Sequence, residues 1–105
     1  MDIRFVYMTA GSLDEARAIG RELVESNLAA CVNILPGMQS IYRWEGKVED
    51  ASEVVMIAKT TAAQMPALTG RVKSLHSYTC PCIVSLRIEG GYQPYLDWIV
   101  ANASA

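Results

Sequence analysis

The apolar positions change period several times along this chain. Ile3 to Thr9 is rich in β-branched and aromatic residues and predicts a strand. Leu13, Ala16, Gly20, Leu23 and Asn27 then recur at helical spacing and predict a helix to about Asn27 with a small, apolar face. Ser12-Leu13-Asp14-Glu15 heads that helix as a capping box. In it the Ser12 hydroxyl accepts from the Glu15 amide, and the Glu15 carboxylate reaches back to the Ser12 amide. Gly20 costs helix stability, and its expected role is close approach to a sheet.

Ala30 to Leu35 predicts a second strand, interrupted at Pro36-Gly37. Proline cannot donate to a ladder, so the interruption reads as a bulge, a bend or an edge position. Strand character resumes at Ser40–Trp44, and Glu45-Gly46 reads as a hairpin turn with Gly46 at positive φ. The return strand is Lys47 to Glu49, then Val54 to Lys59. The hairpin is longer than two covering helices require. Its excess carries Tyr42 and Trp44, which predicts packing against another subunit.

Thr61-Ala62-Ala63-Gln64 reads as a second capping box, followed by an apolar stripe of Met65, Leu68, Val72 and Leu75. Pro66 conflicts with a start at Thr61: either the helix begins a turn later, with Pro66 near its first position, or it is kinked. Beyond Pro81, Cys82 to Ile88 predicts a strand with Cys82, Val84, Leu86 and Ile88 on one face and Ser85 and Arg87 on the other. Pro94 opens a short helix lined on one side by Tyr95, Trp98, Ile99 and Asn102. The order is β-α-β-β-α-β plus a terminal helix: an α+β, ferredoxin-like pattern in one domain spanning residues 1–105.

Composition sharpens this picture. Hydrophobic residues make up 51% of the 105, the upper end for a soluble domain, and an oligomer interface is a destination for the surplus. Lys and Arg number nine against eleven Asp and Glu, giving a net charge of −2 with the basic residues scattered. That excludes the basic footprint of a nucleic-acid binder and argues against an anionic membrane surface. No apolar run reaches the roughly 18 residues that span a bilayer, and the N-terminus lacks signal-peptide character, so a cytoplasmic location is expected. Cys31, Cys80 and Cys82 are then expected as reduced thiols, with Cys31 in the core.

A long ordered series of residues resembles the CutA divalent-cation-tolerance family over essentially the whole chain. It runs from Ala29-Ala30-Cys31-Val32-Asn33-Ile34-Leu35-Pro36-Gly37 through Ser40-Ile41-Tyr42-Arg43-Trp44-Glu45-Gly46-Lys47 and Glu49. It continues at Met56-Ile57-Ala58-Lys59-Thr60, His76-Ser77-Tyr78 with Pro81, and Tyr95-Leu96-Asp97-Trp98-Ile99. The resemblance implies a homotrimer of ferredoxin-like subunits with sheets joined edge to edge, similar in architecture to the P-II signalling proteins. It also implies binding of copper or another divalent cation. Carried over position by position, the metal set becomes Met8, His76 and Cys82. Met8 and Cys82 depart from the family pattern, as do Ser77, where proline is usual, and Thr79, where glutamate is common. Trp44, Glu49, Lys59 and Tyr78 also fall where that pattern places them, and in a trimer they would meet at an inter-subunit cleft with Lys59 paired to Glu49.

Each candidate has a plainer alternative. His76 is the lone histidine, and it reads either as a metal ligand or as a helix C-terminal residue satisfying the last carbonyls. Two thiolates at Cys80 and Cys82 with an imidazole would suit Cu(I) or Zn(II), and Met8 would add a thioether. Against that, Cys82 shares its face with apolar residues and reads as a buried, inert thiol. The Lys59–Glu49 cluster reads either as a ligand cleft or as an interface salt bridge. No catalytic constellation and no phosphate loop is present, so neither enzymatic activity nor an organic cofactor is expected. Thiol chemistry at Cys80 and Cys82 is the minor enzymatic alternative, and a scaffold trimer binding a small ligand or protein is the alternative to metal response.

Overall fold

A computed structural model describes residues 2–104. Four strands form one antiparallel sheet: β1 (Ile3–Ala10), β2 (Cys31–Trp44), β3 (Lys47–Thr61) and β4 (Ile83–Arg87), in the order β2-β3-β1-β4. Three α-helices accompany it: α1 (Leu13–Glu25), α2 (Met65–Leu75) and α3 (Gln93–Asn102), with a short 3-10 turn at Ala62–Gln64. The predicted element order and the α+β class stand.

The pleat assigns side chains to two faces. Val6, Met8 and Ala10 of β1 lie level with Ala58, Met56 and Val54 of β3, and all six are buried. Helix α1 covers this face with Ala16, Ile19 and Leu23, and α2 with Leu68 and Val72. Gly20 permits the contact. A Cβ there would sit 3.3 Å from a Val32 methyl, the close approach expected of this glycine. The opposite face carries Tyr7, Lys59 and Leu35. Among the described residues only one end of it is covered, by α3, whose Ile99 is buried against Ile3, Ala30 and Ala103.

Pro36-Gly37 form a bulge, one of the expected readings, whereas the second capping box and the placement of Cys31 are corrected. Strands β2 and β3 run 14 and 15 residues, and the bulge lies between the pairs Leu35↔Val55 and Met38↔Glu53. Because β2 is an edge strand, Pro36 sacrifices no necessary ladder bond, and Gly37 takes φ 85°. The extra residue also switches faces. Ile34 points toward the helices, whereas Met38, opposite Glu53, points to the far side. Thr61 caps nothing through its side chain; its hydroxyl donates to the Ala103 carbonyl at 3.4 Å, and α2 begins a turn later with Pro66 in its first turn.

Strand β4 alternates as predicted, but its helix-facing side is the other one. The pair Met8↔Ile83 puts Ile83 against the core, leaving Val84 and Leu86 exposed on the open face. Cys31 likewise lies half-buried on the open face, its sulfur 3.7 Å from the Tyr95 hydroxyl, rather than in the core. Its ladder position opposite Lys59 sets that face.

Gly20→Val will destabilise the protein by about 1–3 kcal/mol in chemical denaturation, because the branched side chain must displace Val32. Leu23→Ala will cost about 2–5 kcal/mol through an unfilled cavity.

Candidate functional site

Two neighbouring features concentrate the polar chemistry: the segment after α2 and a groove beside the β2–β3 hairpin. His76 caps α2, its backbone amide bonding the Val72 carbonyl. The imidazole does not turn back to the helix carbonyls. Its Nε2 lies 2.7 Å from the Thr9 carbonyl, and its Nδ1 accepts from the Tyr78 amide at 3.1 Å. That network assigns the proton to Nε2, which donates to Thr9. The ring is fully covered, with Tyr78 tilted against it at 4.6 Å.

Glu15 is the residue that sequence reasoning places imperfectly. Ser12 does cap the Glu15 amide at 3.1 Å. The Glu15 carboxylate, however, accepts from the Gly11 amide at 3.2 Å and from the Ser77 amide at 2.8 Å, not from Ser12. It therefore ties the start of α1 to the end of α2. Partial burial pushes its carboxyl up, but the hydrogen bonds from Ser77 and Gly11 and the nearby His76 outweigh burial and hold it below its ordinary value.

The groove has a volume of about 790 Å³ and lies between the hairpin and residues 77–82. Met38 enters it because of the bulge, and its sulfur accepts from the Tyr7 hydroxyl at 3.3 Å. The Tyr78 hydroxyl donates to Glu53 at 2.9 Å. Burial and that carboxylate push the Tyr78 hydroxyl up to about 12. Burial, assisted by Glu53, also pushes the Cys82 thiol up. Sequence reasoning misses Met38 and Glu53; the Pro-Gly bulge is the available signal, since it decides which face Met38 takes.

The metal set carried over from the resemblance does not form a ligand cluster in this chain. Cys82 lines the groove, whereas Met8 is fully buried in the helix-covered core and His76 has both ring nitrogens in hydrogen bonds. Among the described residues, no group of three or more His, Cys, Asp or Glu side chains is arranged to hold a metal ion. The proposed cleft residues also divide. Trp44 and Tyr78 line the groove together. Glu49 lies opposite Tyr42 near the hairpin tip, roughly 33 Å along β3 from Lys59 at strand spacing. Lys59 instead donates to Asn33 at 2.7 Å and lies 5.9 Å from the Tyr95 ring centre, and Tyr95 stacks on Trp98 at 5.5 Å. Lys59 and Glu49 therefore do not pair within one chain.

The depressed Glu15 carboxyl gives a signed prediction. A lowered folded-state value stabilises the protein above the ordinary value of 4.5 and loses that contribution as pH falls through the folded value. Urea denaturation will show stability falling in this acid range, and Glu15→Gln will make the decline shallower while weakening the protein at neutral pH by about 1–3 kcal/mol.

Comparisons with known proteins agree with the fold and the motif series. The family described as CutA1 divalent ion tolerance protein matches residues 4–102. The divalent-cation tolerance protein CutA of Thermus thermophilus is 50% identical over 97 residues, covering 92% of this chain and 94% of the relative. The solved cation tolerance protein from that organism superposes with a TM-score of 0.95, over 97% of this chain and 99% of the other, at 48% identity. The structure named as the periplasmic CutA of Archaeoglobus fulgidus superposes at 0.93, over 97% and 99% of the two chains, with 46% identity. On this likeness along nearly its whole length, the chain belongs to the CutA divalent-cation-tolerance family.

Proposed function

We propose that this protein serves divalent-cation tolerance as a non-catalytic homotrimer in the cytoplasm, with the hairpin of each subunit completed by its neighbours. The observation that carries this reading is the hairpin itself. Every residue from Ile41 to Asp50 is exposed, including Ile41 at 75%, Val48 at 66% and Trp44 at 45%. The chain is drawn out to 44 Å against 25 and 22 Å in the other directions. Among the described residues no helix of the same chain covers that arm, and exposed apolar surface of this kind marks an interaction site.

The sheet supports the same reading. Leu35, Val84 and Leu86 lie exposed on the open face, and β2 and β4 each have a free edge among the described residues. Free edges invite pairing, and head-to-tail pairing of two different edges closes into a ring. Assembly also supplies the only route by which Lys59 meets Glu49, since one strand holds them far apart. Three free thiols suit a reducing compartment. Among the described residues no helix is long and apolar enough to cross a membrane.

A second reading rests on Lys59. The ammonium lies near the Tyr95–Trp98 stack, and both rings are half-exposed on the open face. A cation beside an aromatic platform suits a small planar anion in an inter-subunit cleft, as in a regulatory trimer.

Multi-angle light scattering will give a mass three times the 11.5 kDa of one chain. Leu86→Lys, which alters the exposed open face without touching the core, will shift the population toward monomer. A wild-type monomer at micromolar concentration would overturn the trimer.

A further inference from the structure

The groove gathers three sulfur-bearing side chains that the family-implied set does not use together. Cys80, at the end of the bend after α2, and Cys82, just before β4, both line it on either side of Pro81. The bulge at Pro36-Gly37 brings Met38 into the lining of the same groove, where its thioether accepts from the Tyr7 hydroxyl at 3.3 Å. Glu53 carries the only charge among the described lining residues, so the charge of the groove favours a cation over an anion.

We propose that Cys80, Cys82 and Met38 form a site for a soft monovalent cation, Cu(I) or Ag(I), in this groove. Thiolates and thioethers select such ions over Mg2+ or Ca2+, which demand oxygen ligands, and a low coordination number suffices for them. Two thiolates and one thioether make a three-coordinate set without histidine. This also accommodates the departures from the family pattern: the donors sit on residues 80 and 82, while Met8 and His76 remain structural.

The balance is simple. The ion enters as solvated Cu(I) or Ag(I) and sheds its solvent ligands, two S–H bonds are lost, three metal–sulfur bonds form (two to thiolates and one to the Met38 thioether), and two protons leave to solvent. No electron is transferred. A thiol with its ordinary value keeps its proton at neutral pH, so proton release accompanies binding. The inference rests on the cation-tolerance reading and deepens it by naming the ion class and its ligands, and all three donors come from one chain.

The test is titration of the reduced full chain with Ag(I), and with Cu(I) under reductant without air. Ultraviolet thiolate-to-metal absorption and proton release provide the readouts. One ion will bind per chain, and binding will survive Cys31→Ser. The double variant Cys80→Ser/Cys82→Ser will bind about 100-fold more weakly and release no protons, and Met38→Leu will weaken binding about tenfold. Met8→Leu, a shape-conserving core change, will leave affinity within about threefold. Cys80 is exposed, so Cys80→Ser alone tests the site where the double variant loses its circular-dichroism signature. Absence of binding by the wild type, wild-type affinity in a folded Cys80→Ser/Cys82→Ser chain, or loss of binding in Met8→Leu with none in Met38→Leu would overturn the proposal. Light scattering on the same variants will report an unchanged mass, which separates failure of the ion site from failure of assembly.

Discussion

The β2–β3 ladder is the constraint on which the rest of this structure depends. Its 14- and 15-residue strands pair along almost their full length, interrupted once by the Pro36-Gly37 bulge. The inner half lies under two helices and belongs to the core. The outer half has no covering layer among the described residues of its own chain. A two-stranded ribbon alone is marginally stable in water, so an arm of this length implies a surface that completes it. The bulge decides what the arm presents, because one extra residue sends Met38, Ser40, Tyr42 and Trp44 to the face opposite the helices.

The segment after α2 depends on that arm in turn. Glu15 and the Thr9 carbonyl fix residues 76–78 from below, through Ser77 and His76. Tyr78 then reaches Glu53 on β3. Helix ends, strand β1 and hairpin are thereby joined through short-range hydrogen bonds with little freedom. His76 serves this joint: one ring nitrogen donates and the other accepts, and metal coordination would sacrifice one of these bonds in a covered site. Cys80 and Cys82 lie just past the joint, where both line the groove. In this protein the histidine is committed to structure, and the exposed sulfur chemistry lies a few residues away.

Much of the fold is legible in the sequence. The period changes place every element, and Ser12, Gly20 and the Glu45-Gly46 turn each behave as their chemistry requires; Glu45 and Gly46 take φ of 49° and 79°. Face assignment is less legible. An alternating strand such as β4 reads the same from either side, and only its register against β1 shows that Ile83, not Val84, meets the core. Cys31 is misplaced for the same reason. A capping-box pattern names a carboxylate but not its partner, so the Glu15 bond to Ser77, 62 residues away, depends on tertiary packing. The family resemblance correctly identifies the chain, yet the residues it nominates for metal lie in three different settings: core, hydrogen-bonded joint and groove.

Amide hydrogen exchange across the hairpin is the most direct test that neighbours complete the arm. In protein at assembly-competent concentration, residues 38–44 will exchange as slowly as the core strand β1, because their outward amides are then paired or covered. Fast exchange of that segment alongside a protected β1 would show a bare edge in solution and contradict the account.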